Sequence, residues 1–196
     1  MSAGWTQTSR TQDKNRKVVD HINRKVKLLI ALLGSLLIAV PLYLFLHEGG
    51  HALVALLCSA QITGFSILGA HTSWVDGSSS PATATLVNAA GMLLPALVAL
   101  VYALFYRSER TGIFYRVFSC IFIVVSGGSI LAWVLVPALC LAGHVPANDD
   151  VAKFLQVSGW SPPLVMALAL MLFSIVLGVV WRRRILQNYW AEANKK

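Results

Sequence analysis

Four long stretches of apolar sequence, none containing Asp, Glu, Lys or Arg, constrain the fold of this chain more than any other feature. A helix needs about 20 mostly apolar residues to cross a bilayer. Charged residues make up 12% of the chain, against about 25% in a typical soluble domain. We therefore predict an all-α integral membrane protein with four transmembrane helices. The stretches are Leu28–Leu46 (continuing through a histidine motif to about Leu57), Thr83–Tyr106, Val117–Ala142 and Leu164–Trp181.

The distribution of Lys and Arg predicts how these helices are oriented. Seven precede the first stretch, none lies between the first and second, three lie between the second and third, one between the third and fourth, and five follow the fourth. Cytoplasmic segments are enriched in Lys and Arg, so both termini are predicted to be cytoplasmic in a multi-pass protein of the plasma (inner) membrane. The predicted organisation is a basic N-terminal tail (1–27), a four-helix transmembrane metalloprotease domain (28–181) and a basic C-terminal tail (182–196). Basic residues that flank apolar stretches indicate contact with lipid and argue against nucleic acid as a partner.

The first outside loop, between residues 61 and 82, carries a weak strand signal. Ile62, Phe65 and Ile67 are separated by Gly and Ser, a pattern typical of a short β-hairpin.

The most specific motif is His47-Glu48-Gly49-Gly50-His51, an HExxH pattern at the outer end of the first stretch. Helical residues four apart share a face, so both imidazoles can bind one Zn²⁺ at about 2.0–2.1 Å. Glu48 lies beside them and can take a proton from water that the ion activates. A charged group inside a span costs at least about 2.5–3.5 kcal/mol, so this cluster indicates a function. Zn²⁺ is the predicted cofactor, and Glu48 is the predicted catalytic base.

A catalytic zinc site needs a third protein ligand and leaves a fourth position open. The predicted orientation leaves three further carboxylates on the same side as the motif, those of Asp76, Asp149 and Asp150. Asp76 lies in a Gly/Ser-rich loop and is typical of a turn. Asp149 and Asp150 precede a short predicted helix, where an aspartate can be a metal ligand or an ordinary N-cap. His71 and His144 are competing donors on that side.

Asn88-Ala89-Ala90-Gly91 opens the second apolar stretch, also on the outer side. An amide just inside the bilayer can hydrogen-bond a substrate backbone or a developing oxyanion, so Asn88 and Gly91 are predicted to bind substrate. The alternative is helix packing through the small residues.

Together these residues resemble the site-2 protease family of intramembrane zinc metalloproteases, in particular its small bacterial-type multi-pass members without a PDZ domain. The resemblance covers roughly residues 28–181, and HExxH is its specific part. The Asn88–Gly91 segment looks like the small-residue Asn/Gly motif of a following helix. Asp149-Asp150 looks like the distal aspartate ligand, and the similarity of Asp-Val-Ala-Lys-Phe to a short Asp-containing motif of some members favours Asp150.

The chain departs from the family pattern in three respects. Met92 stands where many members have Pro, and the usual Leu-Asp-Gly context of the distal aspartate is absent. The family is usually associated with cleavage near the cytosolic face, whereas the predicted orientation places this motif toward the outside.

The resemblance implies hydrolysis of peptide bonds in a membrane-associated protein or peptide. His47, His51 and Asp150 (or Asp149) would hold Zn²⁺, with Glu48 acting as general base and then as acid to the leaving amine. Two other classes of function are a metal-ion transporter, since some carry an HExxH-like helix, and a catalytically inactive membrane scaffold. Four spans are few for a transporter, and the other three stretches contain no His, Asp or Glu.

Overall fold

Seven α-helices and one β-hairpin form the part of the chain that the structure, a computed structural model, describes: residues 3–75 and 80–195. This architecture confirms the predicted all-α membrane fold and the hairpin in the first outside loop. The elements are α1 (Ala3–Leu57), β1 (Gln61–Ser66), β2 (His71–Val75), α2 (Pro81–Leu104), α3 (Ile113–Gly128), a 3-10 turn (Ser129–Leu131), α4 (Ala132–Leu141), α5 (Asp150–Ser158), α6 (Pro162–Arg182) and α7 (Ile185–Ala193).

Four helical segments are long and apolar enough to cross a membrane, as predicted, but the first is longer than expected. Its apolar part covers 36 residues, about 54 Å at 1.5 Å per residue, which exceeds a hydrocarbon core of ~30 Å. The helix also continues back to Ala3, so the predicted N-terminal tail is helical where it is described. The four segments are Ile22–Leu57, Pro81–Leu104, Ile113–Leu141 and Pro162–Arg182.

Local sequence signals set the ends of the shorter helices. Proline occupies the first turn of α2 and of α6, where its missing N–H removes no hydrogen bond. The α5 helix ends at Gly159, whose φ of 67° suits a residue without a Cβ. These ends leave α5 as a short helix that packs against α2 and α4 before α6 begins.

The third span lies at the centre of the bundle and is not one continuous α-helix. A 3-10 turn over Ser129–Leu131 separates α3 from α4. Buried Ile130 and Trp133 from this region pack in the main apolar cluster with residues of α2, α5 and α6. The first helix joins through a smaller cluster formed by Ala39, Ala99 and Phe122.

A buried carboxylate ties three chain segments together at one end of the bundle. Glu192 on α7 is 5% exposed and accepts hydrogen bonds from Arg24 (2.8 Å) and Arg116 (3.0 Å). Arg24 lies near the start of the first span, Arg116 lies near the start of the third, and Glu192 follows the fourth, so these segments meet at the same end. About 35 Å of helix separates Arg24 from His47, which therefore lies at the opposite end.

The predicted orientation leads to a labelling experiment. Leu68 at the hairpin turn is fully exposed, and Thr111 lies exposed between α2 and α3. In a parent protein whose native cysteines are replaced by alanine, we expect Leu68→Cys to react with a membrane-impermeant maleimide in intact cells. Thr111→Cys should react only after permeabilisation. Labelling of the Thr111 variant in intact cells would overturn the orientation. The replaced cysteines are Cys58, Cys120 and Cys140.

Candidate metal centre

Three side chains at the end of the bundle opposite Glu192 bring their donor atoms together. Nε2 of His51 lies 3.3 Å from Nε2 of His47 and 3.1 Å from Oδ2 of Asp150, and His47 Nε2 lies 3.3 Å from the same oxygen. Tetrahedral ligands at about 2.0–2.1 Å from a zinc ion are themselves about 3.3 Å apart. The triangle therefore has the size of one face of a tetrahedral zinc site.

The tautomer that His51 adopts fits a triangle that binds a cation. Nδ1 of His51 lies 2.7 Å from the main-chain oxygen of Val87, which can only accept, so Nδ1 carries a proton. In the neutral ring, Nε2 then directs a lone pair at the Asp150 carboxylate. Converging lone pairs at 3.1–3.3 Å repel each other unless a proton or metal ion lies between them. Two imidazole nitrogens and one carboxylate oxygen are a donor set that fits Zn²⁺.

The environment of Asp150 favours its ionised form. Burial alone would raise the pKa of its carboxyl group, but the adjacent imidazoles of His47 and His51 outweigh that effect and hold the pKa below its ordinary value. A ligand carboxylate must be deprotonated, so the site is arranged for binding.

The two neighbouring aspartates have different roles in the structure. Oδ1 of Asp149 accepts hydrogen bonds from the backbone N–H groups of Val151 (2.9 Å) and Ala152 (3.1 Å), so Asp149 is the N-cap of α5. Asp150, the first residue of that helix, faces the two histidines. Of the two ligand candidates, the structure thus places Asp150 in the triad and uses Asp149 to orient the helix that carries it.

The two competing histidines do not join the triad. His144 is exposed beside the main-chain oxygen of Ala142. His71 is exposed, with its Nε2 2.6 Å from the hydroxyl of Ser73. Asp76 lies outside the described residues.

Gly91, which we expected to bind substrate, lies against the imidazoles. A Cβ at this position would be 2.6 Å from Cε1 of His51 and 2.9 Å from Cε1 of His47, far inside contact distance. A Cβ on Gly50 would likewise lie 2.8 Å from the carbonyl carbon of Ala90. These two glycines let α1 and α2 pack closely enough for the histidine rings to fit between them.

A cleft of about 630 Å³ opens beside the triad, a volume typical of ligand sites. Asn88, predicted to bind substrate, lines this cleft with a half-buried side chain that makes no hydrogen bond to any described residue. Tyr43 also lines the cleft. We did not predict this residue from the sequence, although its position four residues before His47 puts it on the same helix face. The hairpin supplies Thr72 and Trp74, which no local sequence signal indicates.

Glu48 lies in the wall of the same cleft and is only 4% exposed. Its Oε2 accepts a hydrogen bond of 2.7 Å from the hydroxyl of Thr72 on β2. The expected base therefore lines the same cleft as the three candidate ligands and is held by the hairpin.

Comparisons with models of known families, with curated proteins and with solved structures found no match to this chain. The chemistry is accordingly inferred from the site itself. Within residues 3–75 and 80–195, His47, His51 and Asp150 are the only set of three or more His, Cys, Asp or Glu side chains close enough to share a metal ion.

The division of labour between the aspartates can be tested by substitution. Loss of a direct ligand in Asp150→Ala should reduce zinc affinity by more than the roughly 10–100-fold typical of outer-sphere changes. Asp149→Ala should retain zinc and lose only about 1 kcal/mol of helix stability. Zinc content after chelator competition measures both. If Asp150→Ala retains as much zinc as Asp149→Ala, Asp150 is not a zinc ligand.

The packing role of Gly91 gives a second test of the site. Gly91→Ala places a methyl group against both imidazoles, so we expect at least a roughly tenfold loss of zinc affinity. Gly49→Ala is a matched control in the motif itself, because a Cβ there meets nothing within 4 Å. The same zinc affinity in both variants would contradict the close α1–α2 contact.

Proposed function

We propose that this protein is an intramembrane zinc metalloprotease that hydrolyses peptide bonds in a membrane-associated protein or peptide. The observation that carries the proposal is the triangle of donor atoms from His47, His51 and Asp150, with the Glu48 carboxylate in the wall of the same cleft. Three protein ligands leave one position of a tetrahedral ion open, which distinguishes catalytic zinc sites from closed structural ones.

The residues that would hold Zn²⁺ are also oriented by the protein. When bound, the ion would supply Lewis-acid chemistry, polarising a peptide carbonyl and lowering the pKa of water. The hydrogen bond from His51 to the Val87 oxygen fixes the ring and its tautomer. The Asp150 carboxylate offsets part of the double positive charge, which matters where the surroundings are apolar.

Glu48 performs the proton transfers in this proposal. It accepts a proton from the attacking water as the water oxygen bonds to the carbonyl carbon. It then donates that proton to the amine nitrogen as the C–N bond breaks. Asn88 can donate its free amide N–H to the substrate backbone or to the oxygen that gains negative charge.

The position of the cleft supports a membrane-associated substrate. About 20 residues of α1 from Leu28 cross the ~30 Å apolar core, which puts His47 near its outer boundary. A peptide segment leaving the bilayer would meet the cleft there. We place the enzyme in the plasma membrane with both termini cytoplasmic, on the strength of the Lys and Arg distribution.

The role of Glu48 distinguishes a protease from a metal-ion transporter and from an inactive scaffold. Glu48→Gln keeps the side-chain volume and should keep zinc. It should lower cleavage of fluorescein-labelled β-casein by the purified protein by roughly 10²–10⁴-fold, since general base catalysis is lost. Glu109→Gln, an exposed change in the α2–α3 connection, should have no effect.

Other results would point elsewhere. Cleavage at the wild-type rate by the Glu48 variant would contradict the mechanism. Zinc uptake into proteoliposomes that requires His47 but not Glu48 would favour a transporter. Zinc binding without cleavage by the wild-type protein would favour an inactive scaffold.

A further inference from the structure

The β-hairpin presents one face to α1. Phe65 on β1 pairs directly with Thr72 on β2, so their side chains share a face of the sheet. Trp74, two residues beyond Thr72, lies on the same face, and its partner is Ile62. The register shifts between Ile62 and Gly64, and this bulge allows Ile62 and Phe65, three residues apart, to point the same way.

Near the turn of the hairpin, this face contacts α1 at two places separated by less than one helical turn. The Phe65 ring packs edge-on against Phe45, with ring centroids 6.5 Å apart. The Thr72 hydroxyl lies 2.7 Å from Oε2 of Glu48. Phe45 and Glu48 are three residues apart and therefore neighbours on the helix surface. The cross-strand pair of Phe65 and Thr72 thus contacts two neighbouring residues on the helix, Phe45 and Glu48.

The hydroxyl of Thr72 is the only hydrogen-bond donor to the Glu48 carboxylate among the residues that the structure describes. It also lies 3.2 Å from the main-chain oxygen of Glu48, but that oxygen belongs to the helix and the carboxylate contact is shorter. A hydroxyl has one proton to donate. Glu48 is almost fully buried, and this hydrogen bond is the contact that fixes the direction of its carboxylate.

We propose that Thr72 is a positioning residue that holds the Glu48 carboxylate for proton transfer, so that docking of the hairpin on α1 readies the catalytic base. This inference rests on the proposed protease function. An isolated two-stranded hairpin is marginally stable, and here Phe65 remains 44% exposed while docked. At the end of the hairpin away from its turn, Ile62 and Trp74 anchor the strands by packing near Ala55 at the end of α1. The contact with Glu48 lies nearer the free end, where the hairpin can dock and release.

A probe that needs no peptide substrate tests this role. Acetohydroxamate binds a metal through two oxygens and passes its hydroxyl proton to a nearby carboxylate, so its affinity reports the position of Glu48. The protein would be loaded with Co²⁺, whose visible absorption reports the coordination of the ion, and titrated with acetohydroxamate. Thr72→Val should weaken acetohydroxamate affinity by roughly 10–100-fold, as losses of residues that orient a site do, with cobalt content unchanged.

Two variants separate the hydroxyl from the integrity of the hairpin. Thr72→Ser restores the hydroxyl and should restore the affinity. Ser73→Ala removes a hydroxyl from the next residue, which faces the opposite side of the strand, and should match the wild type. With casein as substrate, Thr72→Val should lower kcat and leave KM unchanged, because the contact acts on the chemical step.

A double variant tests the link to docking. Phe65→Ala removes the ring that packs on Phe45 and leaves the hydroxyl in place. If both residues act through the docked hairpin, Phe65→Ala combined with Thr72→Val should weaken acetohydroxamate binding no more than the stronger single variant. Additive losses would contradict the coupling to docking.

Other results would contradict the positioning role, the metal site or the assignment of the base. Wild-type affinity in Thr72→Val, or equal losses in Thr72→Val and Ser73→Ala, would overturn the positioning role while leaving the protease proposal intact. Failure of the wild-type protein to bind Co²⁺ would instead overturn the metal site, and the role of Thr72 with it. Unchanged acetohydroxamate affinity in Glu48→Gln would overturn both the base assignment and its positioning.

Discussion

The close contact of α1 with α2 at the level of the histidines is the constraint on which the outer end of this protein depends. Both rings of the HExxH motif project toward α2, and only a residue without a Cβ can face them there, as Gly91 does. The same contact brings the Val87 carbonyl to His51 and fixes the direction of the nitrogen that faces Asp150. A wider spacing between the helices would lose the orientation of the ring, and a larger residue at position 91 would displace it.

The long first helix separates two polar clusters of opposite character. At one end, Arg24 and Arg116 neutralise a buried glutamate and join the C-terminal helix to the bundle. At the other end, His47, His51 and Asp150 bring two imidazole nitrogens and one carboxylate oxygen together. The first cluster is complete in protein atoms, which suits a structural role. The second offers a donor set that suits the binding of a metal ion.

Features set by local sequence were predictable, and features set by contacts between distant segments were not. Apolar length and the absence of charge located the four spans, and i, i+4 spacing placed His47 and His51 on one face. On the sequence alone, either Asp149 or Asp150 could cap α5. The packed structure shows that Asp149 is the cap and that Asp150 faces the histidines. The contact of Thr72 with Glu48 joins residues 24 positions apart through a bulged hairpin, and no local pattern indicates it. Gly91 was singled out, but its contact with the imidazoles appears only once the two helices are packed.

The central claim is that one zinc ion is bound by two imidazoles and one carboxylate. X-ray absorption at the zinc edge of the purified protein measures this directly, because it reports the elements around the ion and their distances. The account predicts about one zinc per chain, surrounded by four nitrogen or oxygen atoms at about 2.0–2.1 Å, with the outer scattering of two imidazole rings, one of which is removed in His51→Ala. A sulfur shell at about 2.3 Å, or no bound zinc, would contradict it.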